Sequence, residues 1–407
     1  MKDGLRILII SQGLPFPVYQ DGATLRLYHL TRELSRNHSC RLVALDYLGA
    51  EDKLVEEVKE FVSSEVYRCN EVKGVLSNLR KLVFKERFYS KEFLVAVRRN
   101  VLDFKPDIVM AENTFMSQYH EAFKDVPCVM SAVDAIALAA VRLGNASASW
   151  GGKALWRHIA RQRAAIERKY FPRFGKIIAV GKEDGNCIER NTGRPVDVIP
   201  NGVDTVFFAR RSEGPSSDMI VFSGHLGSKM NQEAVAFLVK CLSPKLKESR
   251  SGFKLRIVGR SIPASLMCSS GPEVEFLSDV ADIRSAIQIA SLFVCPIEFG
   301  TGIKNNVLQA MSVGLPVLVT PLIAEPIGIT DGVDGFVSPM GAEFVERAEA
   351  LLSDSLELDQ VGMAGREKIV REFSWSSVAA RYVQVFQLAI EEKDGIAERQ
   401  RPRKTGR

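Results

Sequence analysis

Short apolar runs rich in β-branched residues alternate with helix-patterned stretches along almost the whole chain. This alternation restricts the fold more than any other feature. The first run is Leu5-Arg6-Ile7-Leu8-Ile9-Ile10-Ser11. A loop bearing Pro and Gly follows over 12–22. From Ala23 to Leu34 the residues Leu27, Leu30 and Leu34 then recur at helical spacing. Runs at 40–45, 107–110, 126–130, 176–181 and 196–200 read as further strands, and a long helix is expected over 152–171. Strands that alternate with helices are covered on both faces. The expected class is therefore α/β with parallel sheets.

The pattern breaks once. Residues 201–218 include Arg210-Arg211-Ser212-Glu213-Gly214-Pro215-Ser216-Ser217, a polar stretch with turn chemistry. Beyond it the alternation restarts, with strands at 219–223, 254–258, 274–277, 292–296, 316–320 and 335–337. Helices are expected at 232–242, 283–290 and 303–312, and two more close the chain, the last from Ser374 to about Lys393. Residues 398–407 read as a basic, disordered tail. At ~100–200 residues per domain, a 407-residue chain holds two or three. The expectation is two Rossmann-like domains, with ligands at the carboxyl ends of strands in the crevice between them.

Composition narrows the function. Lys plus Arg number 54 against 49 Asp plus Glu, a net charge of +5. That bias falls short of a nucleic-acid binder, so no nucleic acid is expected; it suits an anionic substrate or an anionic membrane surface. The seven cysteines are scattered with no C-x-x-C pair, and read as reduced core thiols of a cytoplasmic protein. No signal peptide is read at Met1, and no apolar run nears the ~20 residues needed to cross a bilayer. His29, His38, His120, His158 and His225 are too dispersed to mark a metal site, so none is expected. A basic stretch, Lys73 to Arg99 with interleaved leucines, is read as one helix that is either solvated or suited to an anionic membrane.

Three loops could carry chemistry. Gly13 to Arg26 leaves the first strand and contains Gly22 and Arg26, without a dinucleotide fingerprint or its acidic partner. Gly300-Thr301-Gly302-Ile303-Lys304-Asn305-Asn306 joins a buried strand to a helix. It fits either a phosphate cradle with Lys304 as point charge or a tight turn with Lys304 solvated. Gly224-His225-Leu226-Gly227-Ser228-Lys229 holds the matching place at the start of the second half, and His225 reads equally as a phosphate or ribose contact and as a turn residue. Asp134, Glu112 and His120 follow strand ends where substrate groups are expected.

Together these residues resemble a known family. The run from Pro296 to Met311, with Gly314-Leu315-Pro316-Val317-Leu318-Val319-Thr320, resembles the donor-site motif of GT-B glycosyltransferases of the retaining group 1 (family 4-like) type. Further matching pieces are Ile199-Pro200-Asn201-Gly202-Val203-Asp204, Phe222-Ser223-Gly224 with Asn231, Ile257-Val258-Gly259, Glu325, and Phe373-Ser374-Trp375.

The resemblance implies a GT-B fold, two Rossmann-like domains facing a central cleft. Residues 1–200 would form the acceptor side and 201–373 the nucleotide-sugar domain. Residues 374–393 would be a helix returning to the first domain, and 394–407 a tail. It implies transfer of a sugar, with retention and without a metal or other cofactor, from a nucleotide sugar to a glycan or lipid-linked acceptor. The setting would be cell-surface polysaccharide biosynthesis, at the inner face of the membrane. Gly300, Thr301, Gly302, Ile303, Lys304 and Asn305 would hold the diphosphate, Gln309 the ribose, and Glu325, Gly224, His225 and Lys229 other parts of the donor. Gly22 and Arg26 would close over it, with His120 and Asp134 on the acceptor side and Lys304 assisting catalysis. Two departures stand out: the family Lys falls on Asn306 and the family Glu on Gln309. In addition, His225 and Met230 occupy the places of a basic pair. They motivate a second reading, a non-catalytic nucleotide-sugar or glycan-binding protein on the same fold. A third is an epimerase of nucleotide sugars, whose catalytic carboxylates and His are not clearly present.

Overall fold

The computed structural model describes residues 4–16, 22–46, 49–68, 88–210, 218–280, 282–300 and 302–399. The chain divides into two compact units, Met1–Asn201 with Val378–Arg407, and Gly202–Ser377.

The first unit is built on a parallel sheet of β1 (Arg6–Gln12), β2 (Ser39–Asp46), β3 (Ser63–Arg68), β4 (Ile108–Glu112), β5 (Cys128–Val133), β6 (Lys176–Ala179) and β7 (Asp197–Val198), ordered β3-β2-β1-β4-β5-β6-β7. Its helices are α1 (Gly22–Leu34), α2 (Asp52–Phe61), α3 (Lys91–Phe104), α4 (Ile136–Ala146), α5 (Trp150–Tyr170) and α6 (Lys182–Thr192), with a 3-10 segment at Thr114–Ala122. Ile7, Leu8, Ile9 and Ile10 are all fully buried, because helices cover both faces of β1. Full burial of each such side chain is worth about 1.5–3 kcal/mol. The edge strand β3 is half-buried and polar, and so carries no apolar run for a sequence reading to find. The basic stretch is not one uninterrupted helix. Phe88 takes a left-handed φ of 64°, and α3 starts anew at Lys91, where Ser90 Oγ accepts from the Phe93 amide at 3.2 Å. Residues 69–87, with Lys73, Arg80, Lys81, Lys85 and Arg87, lie outside the described residues.

The second unit repeats the plan with β8 (Met219–His225), β9 (Lys254–Arg260), β10 (Val274–Ser278), β11 (Leu292–Cys295), β12 (Val317–Val319) and β13 (Phe336–Val337), ordered β10-β9-β8-β11-β12-β13. Helix α7 (Lys229–Phe237) runs through a π-helical turn at Leu238–Leu242 into α8 (Ser243–Ser249). The widened turn precedes Pro244, which has no N–H to continue the ladder. Then come α9 (Ala264–Met267), α10 (Ile283–Ile287), α11 (Asn305–Ser312), α12 (Pro321–Ile327), α13 (Ala342–Leu351) and α14 (Ser355–Phe373). A Cβ on Gly362 of α14 would lie 2.5 Å from the Gly314 carbonyl oxygen, so α14 packs with its backbone directly on the turn after α11.

The last helix, α15 (Trp375–Arg399), belongs from Val378 onward to the first unit, where Val378, Tyr382, Val385, Phe386 and Ala389 form its buried stripe. Residues 400–407 of the expected tail lie outside the described residues. Cys40, Cys128 and Cys295 are buried free thiols, whereas Cys241 and Cys268 are exposed, which corrects their reading as core residues. No described helix is long and apolar enough to cross a membrane.

Candidate functional site

In each sheet the strand order reverses once, between β1 and β4 in the first unit and between β8 and β11 in the second. At such a switch point the loops leaving adjacent strands diverge to opposite faces and open a crevice at the carboxyl ends. In the second unit that edge carries the loops after β8 and β11, two of those singled out from sequence.

The β11 loop enters α11 through two left-handed glycines, Gly300 (φ 114°) and Gly302 (φ 71°). Gly300 has a further reason to lack a side chain, since a Cβ there would lie 2.6 Å from Met230 Sδ. Around Gly302 the space is open to 4 Å. Lys304 is the N-cap residue and gives α11 no side-chain cap. Its carbonyl accepts from the Val307 amide at 3.0 Å, and Asn306 Oδ1 accepts from the same amide at 3.0 Å. The amides of Asn305 and Asn306 meet no acceptor among the described residues. Burial lowers the Lys304 pKa, and the neighbouring Cys295 thiol is itself pushed up to about 12 by burial. A half-buried ammonium beside two unmet amides at a helix start is an arrangement that attracts an anion. Thr301 lies outside the described residues.

Asn306 Nδ2 donates to the Ser223 carbonyl and so ties α11 to the end of β8. Gly224 lies against Asn231, whose Nδ2 donates to the His225 carbonyl at 2.9 Å. His225 itself is exposed at the strand end. Gln309 is half-buried, one turn along α11 from Asn305. Ile303 is half-buried against the core, and Glu325 is exposed on α12, which follows the adjacent strand β12. Lys229 projects into solvent on α7 and pairs with Glu233 at 3.6 Å. One residue is a 100° turn of helix, and Met230, which holds the place of the family cation, faces the glycine loop.

The first unit corrects two further expectations. Arg26, expected to contact the donor, is 0% exposed. Its Nη1 donates to Asn201 Oδ1 at 2.8 Å, its Nη2 to the Ile199 carbonyl at 3.0 Å, and its Nε to the Tyr382 hydroxyl at 3.1 Å. The guanidinium therefore fastens α1, the end of the 197–201 segment and α15 together. Gly22 starts α1 and is exposed, 3.7 Å by its missing Cβ from Asn201 Nδ2. Glu112, at the end of β4, is buried with both carboxylate oxygens unpartnered among the described residues; the nearby Ser131 hydroxyl is engaged with Tyr382 at 2.9 Å. Burial pushes the Glu112 pKa up, and the Arg26 charge pulls against it.

Asp134 and His120, expected together on the acceptor side, are at opposite edges of the sheet. Asp134 sits at the carboxyl end of β5, just past Val133, a β-branched residue held at φ 62° beside a register shift against β6. The strain presents Asp134 at the rim, where it keeps solvent access. Its pKa is raised by surrounding protein and then by the charge of Asp184, which accepts from the Ala135 amide at 3.0 Å. His120 instead follows the chain as it descends from β4 toward the start of β5. It packs on Phe123 and Phe174, ring centroids 5.6 and 5.4 Å away, next to the amino ends of β5 and β6. Its pKa is lowered, chiefly by burial. Tyr382, which bonds Arg26, Ser131, which bonds Tyr382 in turn, and the Asp134 neighbour Asp184 were not singled out from sequence. Ile199 and Asn201 left a signal, in the Ile199-to-Asp204 motif. Among the described residues no three His, Cys, Asp or Glu side chains gather in a metal-ligand group.

Comparison with known proteins matches both halves. The family described as Glycosyltransferase Family 4 matches residues 20–207, and Glycosyl transferases group 1 matches residues 217–354. Alpha-maltose-1-phosphate synthase of Mycolicibacterium smegmatis is 24% identical over 226 residues, 47% of this chain and 56% of that protein. Phosphatidyl-myo-inositol mannosyltransferase of Mycobacterium leprae is 28% identical over 200 residues, 46% of this chain and 52% of that one. The chain thus spans about half the length of these curated relatives. Among solved structures, Anabaena HepE with UDP and glucose superimposes with a TM-score of 0.63 at 15% identity, covering 94% of this chain and 99% of that one. Sucrose-phosphate synthase of Thermosynechococcus elongatus gives a TM-score of 0.65 at 13% identity, covering 95% and 100%. With a parallel Rossmann-like sheet in each unit and matches along both, the chain belongs to the group 1 glycosyltransferases of GT-B fold.

Proposed function

We propose that the protein transfers a sugar, with retention, from a nucleotide sugar to a glycan or lipid-linked acceptor in cell-surface polysaccharide biosynthesis. The observation that carries this is the start of α11: amides at Asn305 and Asn306 unmet among the described residues, a glycine turn with open space, and Lys304 beside them. When the bond from the anomeric carbon to the phosphate oxygen breaks, the electron pair leaves on the diphosphate. Fixed amides and an ammonium held at this helix start stabilise it without reorganising. The acceptor oxygen forms the new bond on the same face of the sugar, and its proton passes to the departing phosphate oxygen. In this reading the protein groups meet the leaving charge, no metal is required, and Asp134 holds the acceptor hydroxyl.

A panel of UDP-, GDP- and ADP-sugars, read by thermal shift and by donor hydrolysis, tests the reading. The UDP in the HepE structure makes UDP-sugars the first to try. Lys304→Ala is expected to lower kcat/KM by about 10²–10³-fold, the usual cost of one transition-state charge contact, with Lys304→Arg recovering part of it. No shift with any donor would sink the proposal. The binding-only reading is favoured by Asn306, whose side chain is spent on Ser223 and Val307, and by the neutral Gln309. Asn306→Lys with Gln309→Glu separates the two: a working enzyme loses or changes donor preference, whereas a binding protein gains turnover.

A further inference from the structure

Helices α4 and α5 form a hairpin whose chemistry the reading above does not use. It has its own small apolar core, Ala140, Ile159 and Ala160 with Trp156 packed against them, separate from the core of the first unit. Its base is fixed: Glu167 accepts from the Ala137 amide at 3.3 Å and from Asn191 Nδ2 at 2.6 Å, and Arg163 donates to the Ile136 carbonyl at 3.1 Å. Trp156 is thus the tryptophan the hairpin spends on its own packing. Trp150, at the start of α5, is left 85% exposed, and Leu143, at the end of α4, is 48% exposed. Ser149 caps α5, its Oγ accepting from the Gly152 amide at 3.0 Å, so Trp150 stands on an ordered turn.

The charge around it is one-sided. Residues 136–170 contain Arg142, Lys153, Arg157, Arg161, Arg163, Arg168 and Lys169, against Glu167 as the one acid, and Glu167 is buried. Trp150, Ala154, Arg157, Arg161 and Arg168 follow one another at spacings of three, four and seven residues, and so share one face of α5. Lys153, Arg157, Arg161 and Arg168 are exposed and form no ion pair with any described residue. The acids facing the hairpin lie at its other end: Glu183 of α6 is paired with Arg142, and Asp184 accepts from the Ala135 amide at 3.0 Å, with Asp134 beside it.

We propose that this face docks on an anionic lipid bilayer, with Trp150 and Leu143 entering the headgroup region and the α5 cations lying along the lipid phosphates. An exposed indole ahead of an unpaired cationic stripe is amphipathic in the sense a bilayer surface requires; a dissolved polyanion would recruit the cations and leave the indole unused. The proposal does not depend on the transferase reading, because vesicle binding needs neither donor nor acceptor.

The test is co-sedimentation of the full chain with vesicles of phosphatidylcholine, alone or with phosphatidylglycerol. Tryptophan emission is followed in parallel. Binding to the anionic vesicles is expected, weakened by salt, with a blue shift that Trp150→Phe removes. Trp150→Ala and Arg157→Glu/Arg161→Glu are each expected to weaken binding about tenfold or more, while donor hydrolysis in solution is unchanged. Because these side chains are exposed, the variants should melt as the parent does. Absence of binding to anionic vesicles would overturn the proposal. So would binding that both variants leave intact, or equal binding to soluble polyphosphate that Trp150→Ala does not affect.

Discussion

Arg26 shows how far a residue's chemistry and its place can diverge. A cation on the first turns of a helix after a glycine loop reads as an anion contact, yet here its donors are satisfied inside the first unit by Asn201, Ile199 and Tyr382. Removing a buried charge strands the groups built around it, Glu112 among them. Arg26→Met is therefore expected to cost about 3–5 kcal/mol, measured by urea denaturation, and Tyr382→Phe only about 1–2 kcal/mol. His120 makes the opposite point. Its folded pKa lies below its unfolded value, so the stability it permits is complete above the unfolded pKa and is lost as pH falls toward the folded one. His120→Asn should flatten the loss of Tm between neutral and mildly acidic pH and leave transfer activity within a few-fold of the parent. A large loss of kcat would return His120 to the catalytic edge.

At the scale of elements, the strands with continuous apolar runs were legible, and those without were not. β1, β4, β5 and β11 are buried on both faces and read directly. β3 and the charged α2 were missed, because half-exposed elements need few apolar residues. The split of the expected 232–242 helix by a π-helical turn needs the neighbouring Pro244 to be seen in its ladder. Helix α14 carries a second cue that only packing reveals. Gly362 approaches a carbonyl oxygen, which cannot move aside as a flexible side chain would. Gly362→Ala should cost about 1–3 kcal/mol by thermal melting despite the better helix propensity of Ala. A stabilised variant would mean the two segments are not in contact.

At the scale of the whole molecule, the chain leaves its first unit at Asn201 and returns to it from Val378. The first unit is consequently not a continuous stretch of sequence. Tyr382, Phe386 and Ala389 complete its core from the far end of the chain. Deleting residues 378–407 is expected to unfold the first unit selectively, seen as rapid proteolysis within 1–201 while 202–377 persists. Equal protease resistance of both halves would contradict this. The short motif Asn201-Gly202 is explained at the same scale. A Cβ on Gly202 would lie 2.8 Å from the Trp375 ring, and the Val203 amide donates to the Phe373 carbonyl at 2.8 Å. Two motif pieces far apart in sequence meet at one junction.

Local pattern alone determined the α/β class, most of the strands, the break near 201 and the glycine loop leading to α11. Each of these follows from apolar spacing or backbone freedom within a few residues. Tertiary structure alone decided that Arg26 is an internal anchor, that Lys229 faces solvent while Met230 faces the loop, and that His120 and Asp134 belong to opposite edges of one sheet. Those outcomes depend on which distant segment supplies the partner, and a hydrogen bond or a burial between residues tens to hundreds of positions apart leaves no mark on the spacing of either.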